Sequence, residues 1–158
     1  MLNDDVKDRI ESSDVILLGI GEEFNIDDAE KKISAYQSLF ELIKNKNYFV
    51  ISLNKDNEDL ENIFGEKYTV CPMNDISDEK WNAYLKWLSC TLNHRLLVME
   101  LGVSLNNPNV IRWPFERCVM INNSAVICRV NATLPQLPEQ LSDKGISIKE
   151  NSVDFCVL

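Results

Sequence analysis

Four short runs of nearly unbroken apolar character, at residues 15–18, 48–53, 95–101 and 124–130, constrain this chain more than any other feature. A strand that is apolar on both faces must be covered on both faces, the situation of a parallel sheet layered by helices. Weaker strand signals at 67–70 and 146–149 raise the expected number to six. Between the runs lie helical patterns. Residues 29–44 place Ile33, Tyr36, Leu39, Phe40 and Ile43 at spacings of three and four, and residues 78–92 do the same with Trp81, Tyr84, Leu85 and Leu88. Ser77 or Asp78 can cap the latter helix, and Pro114 suits the first turn of a helix after Arg112. The expectation is an α/β three-layer doubly wound Rossmann-like fold, a six-stranded mostly parallel sheet in the order 3-2-1-4-5-6 with helices on both faces.

A chain of 158 residues has length for one domain with a real core. Residues 1–150 are expected to form it, with 134–138 a proline-rich loop into the last strand. Residues 151–158 are expected to be a tail docked through Phe155, Val157 and Leu158. Sixteen basic against 25 acidic residues give a net charge of −9, which opposes a phosphodiester backbone and an anionic membrane surface alike. The acidic, polar N-terminus lacks signal-peptide character, and no apolar run reaches membrane-spanning length, so a cytoplasmic protein is expected. The five cysteines form no paired short spacing of the kind a zinc site needs, and Cys90, Cys118 and Cys128 fall within apolar patterns. Free thiols and no metal site are expected.

In a sheet of this order ligands bind where the carboxyl ends of strands one and four part. Strand one ends in Leu18-Gly19-Ile20-Gly21, glycines that serve either a tight turn alone or the approach of a pyrophosphate. Glu22 and Glu23 follow, two carboxylates where such an anion would sit. Strand two runs into Asn54-Lys55-Asp56, which suits ribose hydroxyls or a capped turn. Strand four leads into Gly102 and Ser104, and strand five into Asn131. Arg112 is the cation expected near this crevice, to clamp a phosphate or to pair with Glu100 or Glu116. Trp113 and Phe115 are expected to pack over the sheet edge, an exposed anchor being the alternative.

Three stretches resemble the sirtuin family, in particular a bacterial sirtuin-like branch with an Arg-Trp-Pro-Phe segment. Residues 36–56, ending Ser52-Leu53-Asn54-Lys55-Asp56, are similar to the segment closing on that family's Thr-x-Asn-x-Asp motif. Residues 97–104, through Arg112-Trp113-Pro114-Phe115-Glu116, are similar to its Gly-Thr-Ser region and the following helix. Val130-Asn131 stands where the family carries an Ile-Asn pair. The resemblance implies an NAD or ADP-ribose pocket. Gly19, Gly21 and Gly102 would lie at the diphosphate, Asn54 and Asp56 near the nicotinamide ribose, and Ser104 and Asn131 near the adenosine ribose. It also implies what is missing. No His-Gly pair follows strand three, and the four-cysteine zinc domain is absent, with Cys71-Pro72-Met73 its expected stub. The only histidine, His94, belongs to the turn before strand four, at the far end of the sheet.

The expected function is therefore a degenerate NAD/ADP-ribose-type pocket without protein deacetylation. One alternative is an NAD-consuming enzyme, a glycohydrolase or an ADP-ribosyl transferase, with Asn54 positioning water and Asp56 steadying developing positive charge. A second is a non-catalytic domain working through a partner or as a homo-oligomer.

Overall fold

The computed structural model describes residues 2–157. Six parallel strands form one sheet in the order β3-β2-β1-β4-β5-β6: β1 Val15–Ile20, β2 Asn47–Ser52, β3 Thr69–Val70, β4 Leu96–Leu101, β5 Val126–Val130 and β6 Gly145–Ile148. The α/β architecture and strand order expected from the apolar runs are those observed. The third strand is shorter than expected, because residues Glu66–Tyr68 wind into a 3-10 turn and leave Thr69 and Val70 to pair with Val50 and Ile51.

Among the described residues six helices cover the sheet: α1 Asp4–Ser12, α2 Ala29–Ile43, α3 Glu58–Phe64, α4 Asp78–Ser89, α5 Arg112–Ile121 and α6 Ser152–Cys156. Alternate residues of each strand serve opposite cores. Ile16, Leu18 and Ile20 of β1 join Met99 and Val130 under α1, α2, α3 and α6, among Val6, Ile10, Tyr36, Leu39, Phe64 and Phe155. Val15 and Leu17 join Phe49, Val98 and Ile127 under α4 and α5, among Tyr84, Phe115 and Val119. This two-sided burial is what the unbroken apolar runs require.

The caps follow simple chemistry. Asp28 accepts from the Lys31 N–H at the start of α2, and Ser77 from the Lys80 N–H at the start of α4. Residues 151–157 do not trail from the core. Asn151 accepts from the Val153 and Asp154 N–H groups to start α6, which packs on α2 and buries Val153, Phe155 and Cys156. Val157 packs against the same core, and the expected contact through Leu158 lies outside the described residues.

Candidate functional site

At the carboxyl end of the sheet the loop after β1 is pressed against the loop after β4. The Gly21 N–H donates to the Leu101 carbonyl at 2.8 Å and the Glu23 N–H to the Gly102 carbonyl at 3.2 Å. The Phe24 and Asn25 N–H groups donate to the carbonyls of Gly21 and Glu22, closing the 3-10 turn Glu22–Phe24. These amides are committed to protein carbonyls, whereas those of a phosphate-binding loop converge on the ligand.

The glycines obey the same logic. A Cβ on Gly21 would sit 2.2 Å from the Gly102 carbonyl oxygen, and one on Gly19 would sit 2.6 Å from the Phe115 ring. Gly102 has φ +67° and would place a Cβ 2.4 Å from Ser152 Oγ and 2.5 Å from Glu23 Cβ. All three permit protein segments to touch one another.

The two glutamates are the centre of the arrangement. Glu23 Oε2 accepts from the Ala132 N–H at 2.9 Å, and Glu23 Oε1 accepts from both the N–H and the hydroxyl of Ser152, each at 2.8 Å. One carboxylate thus ties the β1 loop to the β5 loop and to the start of α6. Glu22 Oε2 accepts from the Ser104 N–H at 3.0 Å. Its other oxygen, Oε1, is buried with no hydrogen-bond partner among the described residues. A buried acceptor left unpaired costs about 1–3 kcal/mol, and more when charged.

The other residues singled out from the sequence are brought to the same edge, most of them already engaged. Asn54, buried, donates its side-chain amide to the Gly21 carbonyl at 3.0 Å, and its backbone carbonyl accepts from the Asn57 side-chain amide at 2.6 Å. Asp56 is exposed, and Asn57 occupies the position before α3. Ser104 Oγ accepts from the Asn106 N–H. Asn131 donates to the Val103 carbonyl at 2.8 Å, and its oxygen accepts from the Thr133 and Leu134 N–H groups, so it shapes the β5 loop.

Arg112 turns inward. It is buried, 3.8 Å from Glu100, and its guanidinium donates to the carbonyls of Val103, Leu134 and Gln136. Those bonds brace the loops around the crevice, and they account for Arg112 without a ligand phosphate. Beside it lies a group that the motifs of the sequence do not mark. Arg129 of β5, fully buried, donates to both oxygens of Glu100 at 2.6 and 3.0 Å, to Glu116 at 2.8 Å and to the Gln136 carbonyl at 2.7 Å. Burial raises the Glu100 carboxyl above its ordinary range, against the opposing pull of Arg129. Burial lowers Arg112, with Arg129 adding to the effect.

A cavity of about 260 Å³ opens at this edge, lined by Glu22, Glu23, Gly102, Ser104, Asn131 and Thr133. A larger one, about 420 Å³, lies between α4 and α5. Its walls are mainly apolar, Leu85, Leu88, Leu92, Pro114, Cys118 and Ile121, with Ser89, Thr91 and Arg117 among them. The smaller cavity is the one at the sheet's switch point, where open α/β sheets hold their ligands. On α5, Trp113 stands 53% exposed, contrary to the expectation that it packs over the sheet edge, while Phe115 is fully buried. The α5 register lets one of the two face the sheet, and Phe115 takes that place beside Gly19.

His94 is exposed in the turn before β4, at the opposite end of the sheet from the crevice. Cys71, Cys128 and Cys156 are buried free thiols; burial pushes those of Cys71 and Cys128 up to about 12. Among the described residues no group of three or more His, Cys, Asp or Glu gathers where a metal ion could be held, and no helix is long and apolar enough to cross a membrane.

No protein-family model matches the chain. A probable bifunctional ADP-ribose hydrolase/ADP-ribosyltransferase of Fusarium oxysporum f. sp. cubense is 35% identical over 74 residues, a stretch covering 44% of this chain and 12% of that protein. The chain spans only a small part of that relative's length. It is similar, over that part, to a protein named for ADP-ribose hydrolysis and transfer.

Proposed function

We propose that this chain is a sirtuin-like Rossmann domain that binds an ADP-ribose-type ligand through its ribosyl part and does not deacetylate protein. The observation that carries the reading is the small polar cavity lined by Glu22, Glu23, Gly102, Ser104, Asn131 and Thr133, formed where the loops after β1, β4 and β5 meet at the sheet's switch point. The carboxylates of its lining suit the hydroxyl donors of a vicinal ribose diol. The partial similarity to a protein named for ADP-ribose chemistry supports the same ligand class.

The diphosphate of NAD or ADP-ribose fits less well. The loop amides that would hold it donate to carbonyls, and Glu23 takes the further donors. The chain's single histidine, His94, is too far from the crevice to act as a base.

A second reading, an NAD-consuming enzyme using Asn54 and Asp56, is favoured by the name of that partial relative. It would require Asn54 to release the Gly21 carbonyl before positioning water. Thermal melting with adenosine, ADP-ribose and NAD, together with nicotinamide release over hours, tests both. A ligand at a hundredfold its Kd adds about 2.7 kcal/mol. Stabilisation without nicotinamide release is the expected result, release at a steady rate would transfer the case to the enzyme, and no stabilisation by any of the three would refute the proposal.

A further inference from the structure

The outer surface of α4 and α5 carries apolar area that the fold does not use. Eight large apolar side chains stand exposed among the described residues. Five of them, Leu85, Leu92, Trp113, Met120 and Ile121, belong to these two helices and the turn after α4. On α5, Phe115 and Val119 are buried, whereas Trp113, Arg117, Met120 and Ile121 recur at i, i+4, i+7 and i+8 and form a second, outward stripe. Between the helices runs the cavity of about 420 Å³, a groove walled from Leu85 to Leu92 and from Pro114 to Ile121. Arg117 is the one charged residue in those walls, and its guanidinium has no hydrogen-bond or ion-pair partner among the described residues.

We infer that this groove docks an amphipathic helix of a partner protein, one whose apolar stripe carries a carboxylate at its centre to meet Arg117. The walls run about 11 Å, two turns at 1.5 Å per residue, which anchors at i, i+3 or i+4 and i+7 of an incoming helix span. A second copy of the chain fits less well. Helices of 12 and 10 residues side by side offer a footprint on the order of 350 Å². That is under half of the roughly 800 Å² that each partner gives to a standard interface. A two-fold axis through the groove would also set Arg117 against its own copy, between chains that each carry a net charge of −9. A partner's carboxylate removes that repulsion and pairs the lone charge of the walls. The groove shares no lining residue with the small cavity at the switch point, so the inference stands apart from the ribosyl reading.

Two synthetic helical peptides, identical but for Glu or Lys at the centre of a leucine stripe, test this by titration into the isotope-labelled full chain. At about 0.15 M salt, charges more than about 8 Å away are screened and the local pair decides. The Glu peptide is expected to bind about fivefold or more tightly than the Lys peptide, with saturable shifts at Leu85, Leu92, Arg117 and Ile121. Arg117→Glu is expected to reverse the preference. Ile121→Asp, at an exposed site, is expected to weaken both peptides about tenfold or more with little change in melting. Leu85→Asp on the other wall repeats that loss where the first variant does not fold. Equal wild-type affinity for the two peptides, a preference that survives Arg117→Glu, or binding of neither peptide would overturn the inference. So would sedimentation of the wild type alone as a dimer that Ile121→Asp dissociates, which assigns the groove to a second copy. Decanoate saturating the same shifts while neither peptide binds would assign it to a small amphiphile instead.

Discussion

Replacing Arg129 by methionine removes the side chain that joins Glu100, Glu116 and the 131–138 loop. Glu100 is fully buried and loses two charge-assisted hydrogen bonds at 2.6 and 3.0 Å, retaining Arg112 at 3.8 Å. Breaking a buried pair by deleting one partner costs about 3–5 kcal/mol, and the residual Arg112 places the expected loss near the lower end, about 3 kcal/mol. For a domain of this size each kcal/mol lowers Tm by about 2–4 °C, so a drop of roughly 6–12 °C is expected. The pH dependence gives a second handle. Burial already holds the Glu100 pKa above its ordinary 4.5, so the folded state binds a proton more tightly than the unfolded chain. Its contribution to stability is then fully present at low pH and declines as pH rises through the unfolded value toward the raised one. Without Arg129 that decline extends further, and the deficit of the variant is smaller at pH about 5 than at pH about 8. Pairing the change with Glu100→Gln removes the stranded charge and is expected to recover about 1–3 kcal/mol relative to additivity. Denaturant unfolding of the variants at both pH values is the assay. An Arg129→Met protein within about 1 kcal/mol of wild type, or a deficit that grows on acidification, would refute the argument.

Gly102→Ala is expected to lose at least about 2 kcal/mol in denaturant unfolding, from a positive φ and from the clash with Ser152 and Glu23. Asn131→Ala is expected to lose about 1–3 kcal/mol, since it strands the Thr133 and Leu134 N–H groups and leaves the Val103 carbonyl only its longer bond from Arg112, and to weaken ligand binding through the loosened loop. Iodoacetamide at mildly alkaline pH, read by mass spectrometry, is expected to modify Cys90 first and to spare Cys71, Cys128 and Cys156 until the chain unfolds. Labelling of Cys128 at the rate of Cys90 in the folded protein would contradict the burial that raises its thiol.

How far the sequence speaks depends on whether a residue's role is local. The strand order is legible because runs such as Leu96–Leu101 are apolar on both faces, and a layered arrangement is what buries them. Helices α1 and α3 leave little trace, because their apolar residues are few; Val6 and Ile10 are the whole buried stripe of α1. The convergence of Gly19, Gly21, Asn54, Ser104 and Asn131 on one edge is legible from topology. Their partners are not. Ser152 and Ala132 lie 129 and 109 residues from Glu23 in the chain, and nothing in their own neighbourhoods marks them as partners of a carboxylate. Arg129 is hidden in the same way, a cation inside an apolar run whose counter-charge sits on the neighbouring strand.

Amide chemical-shift mapping of the isotope-labelled chain titrated with adenosine bears most directly on the claim that the switch point holds a ribosyl ligand. The account predicts saturable shifts at Glu22, Gly102, Ser104, Asn131 and Thr133, the residues around the small cavity. Shifts confined to Leu85, Leu92 and Ile121 at the α4–α5 groove, or none at all, would contradict it.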